Sequence, residues 1–129
     1  MLNDVLSMVR PKHPWRLHLH GYSMSPTMLE GDELLVVPQD EPARLGDVVV
    51  FPYREQLVAH RVIGAGEVLR TAGDASRGAV ERIDPREVLG KVTEVRRRGR
   101  IIHSYASSPV KAVFLRARLA LRYHLRLHR

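Results

Sequence analysis

Apolar and polar residues alternate along the first regular stretch of the chain. Trp15, Leu17 and Leu19 fall on one side and Arg16, His18 and His20 on the other, the period-two pattern of a half-buried strand that ends at Gly21. Leu34-Leu35-Val36-Val37 predicts a second strand, bounded by Gly31-Asp32 and Pro38. Val48 to Phe51 predicts a third, closed by Pro52, and Leu57 to Ile63 a fourth, ended by Gly64 and Gly66. Val68 to Thr71, Val88 to Val95 and Arg100 to Tyr105 supply three more, with Arg96 to Gly99 as a hairpin turn between the last two. The segment Pro38 to Gly46 is polar and turn-rich. Residues 1–14 read as a short helical turn followed by the lead-in Pro11-Lys12-His13-Pro14. Short strands punctuated by Gly, Pro and Asp predict a mainly β domain, a sandwich or partial barrel. There is no internal repeat and no low-complexity segment.

From Ser108 the pattern changes. Ser108-Pro109 offers a cap followed by Pro at the first helical position. Val110, Val113, Phe114, Ala117 and Leu121 then recur at helical spacing, with Leu115, Leu119 and Tyr123 as a second stripe. Residues 115–128 also alternate apolar with basic, a strand signal, but Leu, Ala and Arg favour helix. The organisation expected is a β domain over 1–107 and a basic amphipathic helix over 108–129.

The chain has 129 residues, enough for one domain with one real core. A low aromatic share, 5%, makes that core mostly Val, Leu and Ile. The net charge of +7 suits an anionic partner, and with the basic tail it fits peripheral contact with an anionic membrane. The run Arg96-Arg97-Arg98-Gly99-Arg100 lacks the interleaved aromatics of a base-stacking surface, so nucleic acid is not the expected partner. Without cysteine there is no disulfide, thiol catalysis or thiolate metal site. No His, Asp and Glu grouping has metal-ligand spacing, and no cofactor is implied. The apolar runs are far shorter than the ~18 residues of a membrane-spanning helix. Val5 to Val9 is too short for a secretory signal, so the expected location is cytoplasmic or peripheral at a membrane.

The candidate chemistry centres on Gly21-Tyr22-Ser23-Met24-Ser25-Pro26-Thr27-Met28. A serine in such a string can simply cap a tight turn. Downstream, however, His60 stands at a strand position, and Asp74 and Asp84 follow. A serine hydroxyl becomes nucleophilic when a neighbouring base takes its proton. A histidine base in turn works best with a carboxylate that fixes its tautomer. Ser23 and His60 fill the first two roles, and Asp74 or Asp84 the third. Histidines 13, 18, 20, 103, 124 and 128 read as surface or helix residues, with His18 and His20, close to Ser23 in sequence, as fallback bases. Ser25 reads as a loop serine, Asp32 and Asp47 as turn residues, and Arg61 as structural.

Four boxes carry a family resemblance: Ser23-Met24-Ser25-Pro26-Thr27, Gly46-Asp47-Val48-Val49-Val50-Phe51, His60-Arg61-Val62-Ile63 and Gly73-Asp74-Ala75-Ser76. In this order, over residues 15–95, they resemble the signal peptidase family in its archaeal and endoplasmic-reticulum branch. That branch uses histidine where the main bacterial enzymes and the LexA-type self-cleaving repressors have lysine. The resemblance implies a signal-peptidase/LexA-like β fold and a serine endopeptidase that cuts an extended protein or peptide precursor after small residues. Ser23 would be nucleophile and His60 general base. Asp74, in the Gly-Asp box, or Asp84, in Asp84-Pro85-Arg86, would orient His60. Met24 and Pro26 would hold the turn and shape the substrate cleft. Gly21 occupies the place of a serine that assists the oxyanion in some members, leaving that task to backbone N–H groups including that of Ser23. The family is usually membrane-anchored; the absence of an evident anchor argues against the housekeeping signal peptidase and would make sense for a dedicated maturation protease. A self-cleaving regulator is disfavoured, because about twenty residues before Ser23 are too few for a helix-turn-helix domain. The alternative from a different class is a non-catalytic module whose basic surface and tail hold anionic membrane or nucleic acid.

Overall fold

The computed structural model describes residues 10–105. The predicted C-terminal helix, the 107/108 boundary and most of the N-terminal turn lie outside the described residues. Eight strands form: β1 (Trp15–His18), β2 (Glu33–Val37), β3 (Val48–Tyr53), β4 (Gln56–Gly64), β5 (Leu69–Ala72), β6 (Glu81–Ile83), β7 (Gly90–Arg97) and β8 (Arg100–Ser104). A single 3-10 turn, Pro85–Glu87, joins β6 to β7. The fold is mainly β, as the alternation predicts, and it is built as one open antiparallel sheet. The strand order is β1-β2-β7-β3-β4-β5-β6, with β8 also paired to β7. One edge of β7 is shared: Gly90 and Lys91 pair with β3, and Glu94 to Arg97 pair with β8.

The local chemistry explains the hairpins. Arg54 and Glu55 link β3 to β4, and Arg98 and Gly99 link β7 to β8, all four with positive φ. Two consecutive left-handed residues give the tight turn whose twist matches paired strands. β3 runs past the expected stop at Pro52, which pairs with Leu57. Beyond Val50, β3 has only β4 as a neighbour among the described residues, so the missing N–H at Pro52 costs no ladder bond there. Gly31-Asp32 and Gly46-Asp47 build the same device twice. Each glycine takes a positive φ of 88° or 91°. Each aspartate accepts from the backbone N–H three residues earlier, Leu29 or Arg44, at 2.8 Å.

The apolar run of β3 is buried on both faces. Val48 and Val50 join Leu34, Val36, Ala59, Val92, Val95, Met24 and Met28 in one cluster. Val49 and Phe51 join Val62, Leu69 and Ile83 in a second. Each fully buried Val, Leu, Met or Phe contributes roughly 1.5–3 kcal/mol of transfer free energy. The sequence pattern does not reveal β6, which has three residues, one of them a carboxylate.

Candidate active site

The segment from Leu19 to Asp32 leaves the sheet after β1 and returns to it at β2. Its base is closed by two backbone bonds, Leu19 N–H to Asp32 O at 2.9 Å and Gly31 N–H to Leu19 O at 2.8 Å. Asp32 is buried there, and Arg97 of β7 donates to it twice, at 2.8 and 2.9 Å. Burial opposes the charge on Asp32, but the bonds from Arg97 and Leu29 N–H outweigh it and hold the carboxyl below its ordinary range. Within the loop Met24 and Met28 are fully buried and plug it into the first core cluster. Ser23, between the exposed Tyr22 and buried Met24, is left facing solvent.

β4 presents His60. Val58, His60 and Val62 share one face of the strand, and His60 Nε2 lies 2.9 Å from Ser23 Oγ. On the other side of the ring, Nδ1 meets Glu81 Oε1. Both side chains are mostly buried, 14% exposed for His60 and 10% for Glu81. With Nδ1 protonated and donating to the carboxylate, Nε2 keeps the lone pair that can accept the Ser23 proton. Glu81 stands on β6, separated from β4 by β5. The registers pair Arg61 with Ala72 and Thr71 with Glu81, so the Glu81 side chain passes over the end of β5 near Gly73.

The two aspartates proposed from sequence for this role are engaged elsewhere. Asp74 accepts from Arg61 Nε and Nη2, both at 2.8 Å. The guanidinium also donates to Gly46 O at 2.8 Å, which satisfies a buried charge. Arg61 is thus structural, as expected, and Asp74 is its counter-ion: neighbouring strand residues point to opposite faces, so the partner of Arg61 is not on the face of His60. Asp84 caps the 3-10 turn through Arg86 N–H at 2.8 Å. Bonds from Arg86 lower its carboxyl to about 2. The carboxylate that meets His60 is that of Glu81, which motif matching did not single out. No alternation marks it: Val80, Glu81, Arg82 and Ile83 read apolar, polar, polar, apolar, and only the folded strand puts Glu81 and Ile83 on one buried face.

The Gly-Asp box nevertheless touches the site. Ala75 N–H donates to Ser23 O at 2.8 Å, and Asp74 N–H reaches Met24 Sδ at 3.5 Å. A β-carbon on Gly73 would stand 2.4 Å from Ser23 O, so the close approach of these segments requires glycine. Met24, expected to shape a substrate cleft, is fully buried and supports the turn from beneath, whereas Pro26 is exposed. The Ser25–Pro26 bond is cis. His103 Nε2 lies 2.9 Å from Thr27 O, and its ring stacks on Tyr105 at 5.9 Å, so this half-buried residue of β8 braces the far end of the turn. His18 sits 3.9 Å from Glu33, and among the described residues neither His18 nor His20 contacts Ser23. Ser23 N–H has no acceptor among the described residues, which leaves it available to an oxyanion.

A cleft of about 370 Å³ between residues 39–49 and 85–91 contains none of Ser23, His60 or Glu81. Among the described residues, no group of three or more His, Asp or Glu side chains could hold a metal ion. Among the same residues, no helix is long and apolar enough to cross a membrane. The chain matches no protein-family model and no curated protein.

Proposed function

We propose that the protein is a serine endopeptidase of signal-peptidase type, with a fold of the signal-peptidase/LexA kind, that processes a protein or peptide precursor. The observation that carries this reading is the ordered contact from Ser23 Oγ to His60 Nε2, at 2.9 Å, and from Nδ1 to Glu81. Ser23 Oγ attacks the scissile carbonyl carbon while Nε2 takes its proton. The imidazolium is stabilised by Glu81, and the oxyanion by backbone N–H groups including that of Ser23. Nε2 then protonates the departing amine, leaving an ester on Ser23. A water, deprotonated by the same nitrogen, hydrolyses it and restores the hydroxyl.

The substrate is an extended segment that pairs as an added strand, with small residues in shallow apolar pockets. β1, which leads directly into the Ser23 loop, pairs only with β2 among the described residues, so its other edge is open to such pairing. The basic balance of the chain favours work at an anionic membrane surface.

The test compares protein N-termini by mass spectrometry in cells expressing wild type and Ser23→Ala. A set of new N-termini that depends on Ser23 is the expected outcome and names the substrates together with the cleavage rule. Identical N-termini with both proteins folded would sink the reading and favour a binding module.

A further inference from the structure

Two side chains near the site have bonding capacity to spare. Thr71 is fully buried, and its Oγ1 has no hydrogen-bond partner among the described residues. Glu81 has one carboxylate oxygen on His60 Nδ1, and its side chain has no other partner among the described residues. These residues are cross-strand neighbours: Thr71 on β5 is directly opposite Glu81 on β6 and, across its other edge, opposite Val62 on β4. Directly opposed residues share a face, with β-carbons roughly 4.5–5.5 Å apart. Val62 also shares its face with His60, two residues away. The orphan hydroxyl, the free carboxylate oxygen and the imidazole therefore lie on one side of the sheet. An unpaired buried hydroxyl is costly, and a bond to the second carboxylate oxygen relieves it.

We propose that Thr71 is a positioning residue: its hydroxyl donates to the second carboxylate oxygen of Glu81, directly from another staggered rotamer or through one buried water, and so holds the first oxygen on His60. This rests on the serine-peptidase reading. Glu81 has three side-chain torsions and reaches His60 from two strands away, so a second anchor on its carboxylate limits rotation away from Nδ1. Thr71 does not touch the reacting atoms and acts only through Glu81 and His60.

Packing and positioning make opposite predictions for two near-conservative variants. Thr71→Val keeps the volume and removes the donor, whereas Thr71→Ser keeps the donor and removes a buried methyl. The full-length protein is treated with a fluorophosphonate probe, which phosphonylates an activated serine and expels fluoride, and thermal unfolding of each variant is followed alongside. Wild type should label and Ser23→Ala should not. Thr71→Val should label about 10- to 100-fold more slowly, the worth of one hydrogen bond to a charged group, with its melting temperature little changed. Thr71→Ser should label within about threefold of wild type while melting lower, because it loses a buried methyl. Labelling of Thr71→Val at the wild-type rate, or an equal loss in Thr71→Ser, would overturn the positioning role and leave the peptidase standing. Absence of Ser23-dependent labelling in wild type would instead overturn the peptidase reading, and this proposal with it.

Discussion

Replacing Glu81 by Gln keeps the length and volume of the side chain and removes its charge. The two partners are mostly buried, with 14% and 10% of the side chains exposed, so solvent screens them weakly. Taking ~4 Å between charge centres and an effective dielectric of ~20, the carboxylate stabilises the imidazolium by about 4 kcal/mol. That is roughly three powers of ten in rate, since ~1.4 kcal/mol is tenfold. If the amide nitrogen turns toward Nδ1, His60 is held in the tautomer that protonates Nε2, and the loss approaches ~10⁴-fold. Glu81→Asp should lose nearly as much, because a side chain one methylene shorter cannot reach across two strand spacings of ~4.8 Å each. The assay is the second-order rate of fluorophosphonate labelling of Ser23, with Asp84→Asn as control; Asp84 bonds Arg86 and should leave the rate unchanged. A Glu81→Gln rate within about tenfold of wild type, or a large loss in Asp84→Asn, would refute the assignment of the acid.

The remaining predictions concern the framework. Gly73→Ala should push the Ser23 turn outward, costing about 1–3 kcal/mol by overpacking and most of the labelling rate, which denaturant melts and the same probe would check. Asp74→Asn should destabilise by about 3–5 kcal/mol, because Arg61 stays buried without its counter-charge; an unchanged urea midpoint would contradict the buried pair. The folded-state pKa of Asp32 is depressed, so the stability it contributes is present above its unfolded value of ~3.9 and fades as pH falls through the lower folded one. Melting temperatures of wild type and Asp32→Asn should therefore differ most above about pH 4 and converge in stronger acid.

Much of this was legible from periodicity. The alternation of Trp15, Leu17 and Leu19 and the doubly buried Val48 to Phe51 run predict strands that form. The pairing of Ser23 with His60 follows from the motif boxes, and their 2.9 Å contact matches it. The acid was not legible, because sequence proximity to a motif is a poor guide to distance across a sheet. Asp74 follows Gly73, which touches the nucleophile turn, yet its carboxylate faces Arg61. Glu81 reaches His60 only because the β4–β5 and β5–β6 registers carry it there, and a register is set by how the patterns of both strands meet the core and by turn geometry, which one short strand does not show. The bracing of Thr27 by His103 was hidden for the same reason, since it depends on where β8 returns along β7.

Glu81 lies on β6, a three-residue strand at the end of the sheet that, among the described residues, pairs with β5 alone. Ser23 and His60 are instead tied to the loop anchors and to the long central strands. Edge segments with few ladder bonds open at lower free energy than the core, as amide exchange shows in proteins generally. Detachment of β6 would strip Glu81 from His60 while leaving Ser23, His60 and the core in place. Heating should thus switch the chemistry off some degrees before the sheet melts, in a reversible step. The amides of residues 81–83 should exchange on the time course of that inactivation rather than of global unfolding.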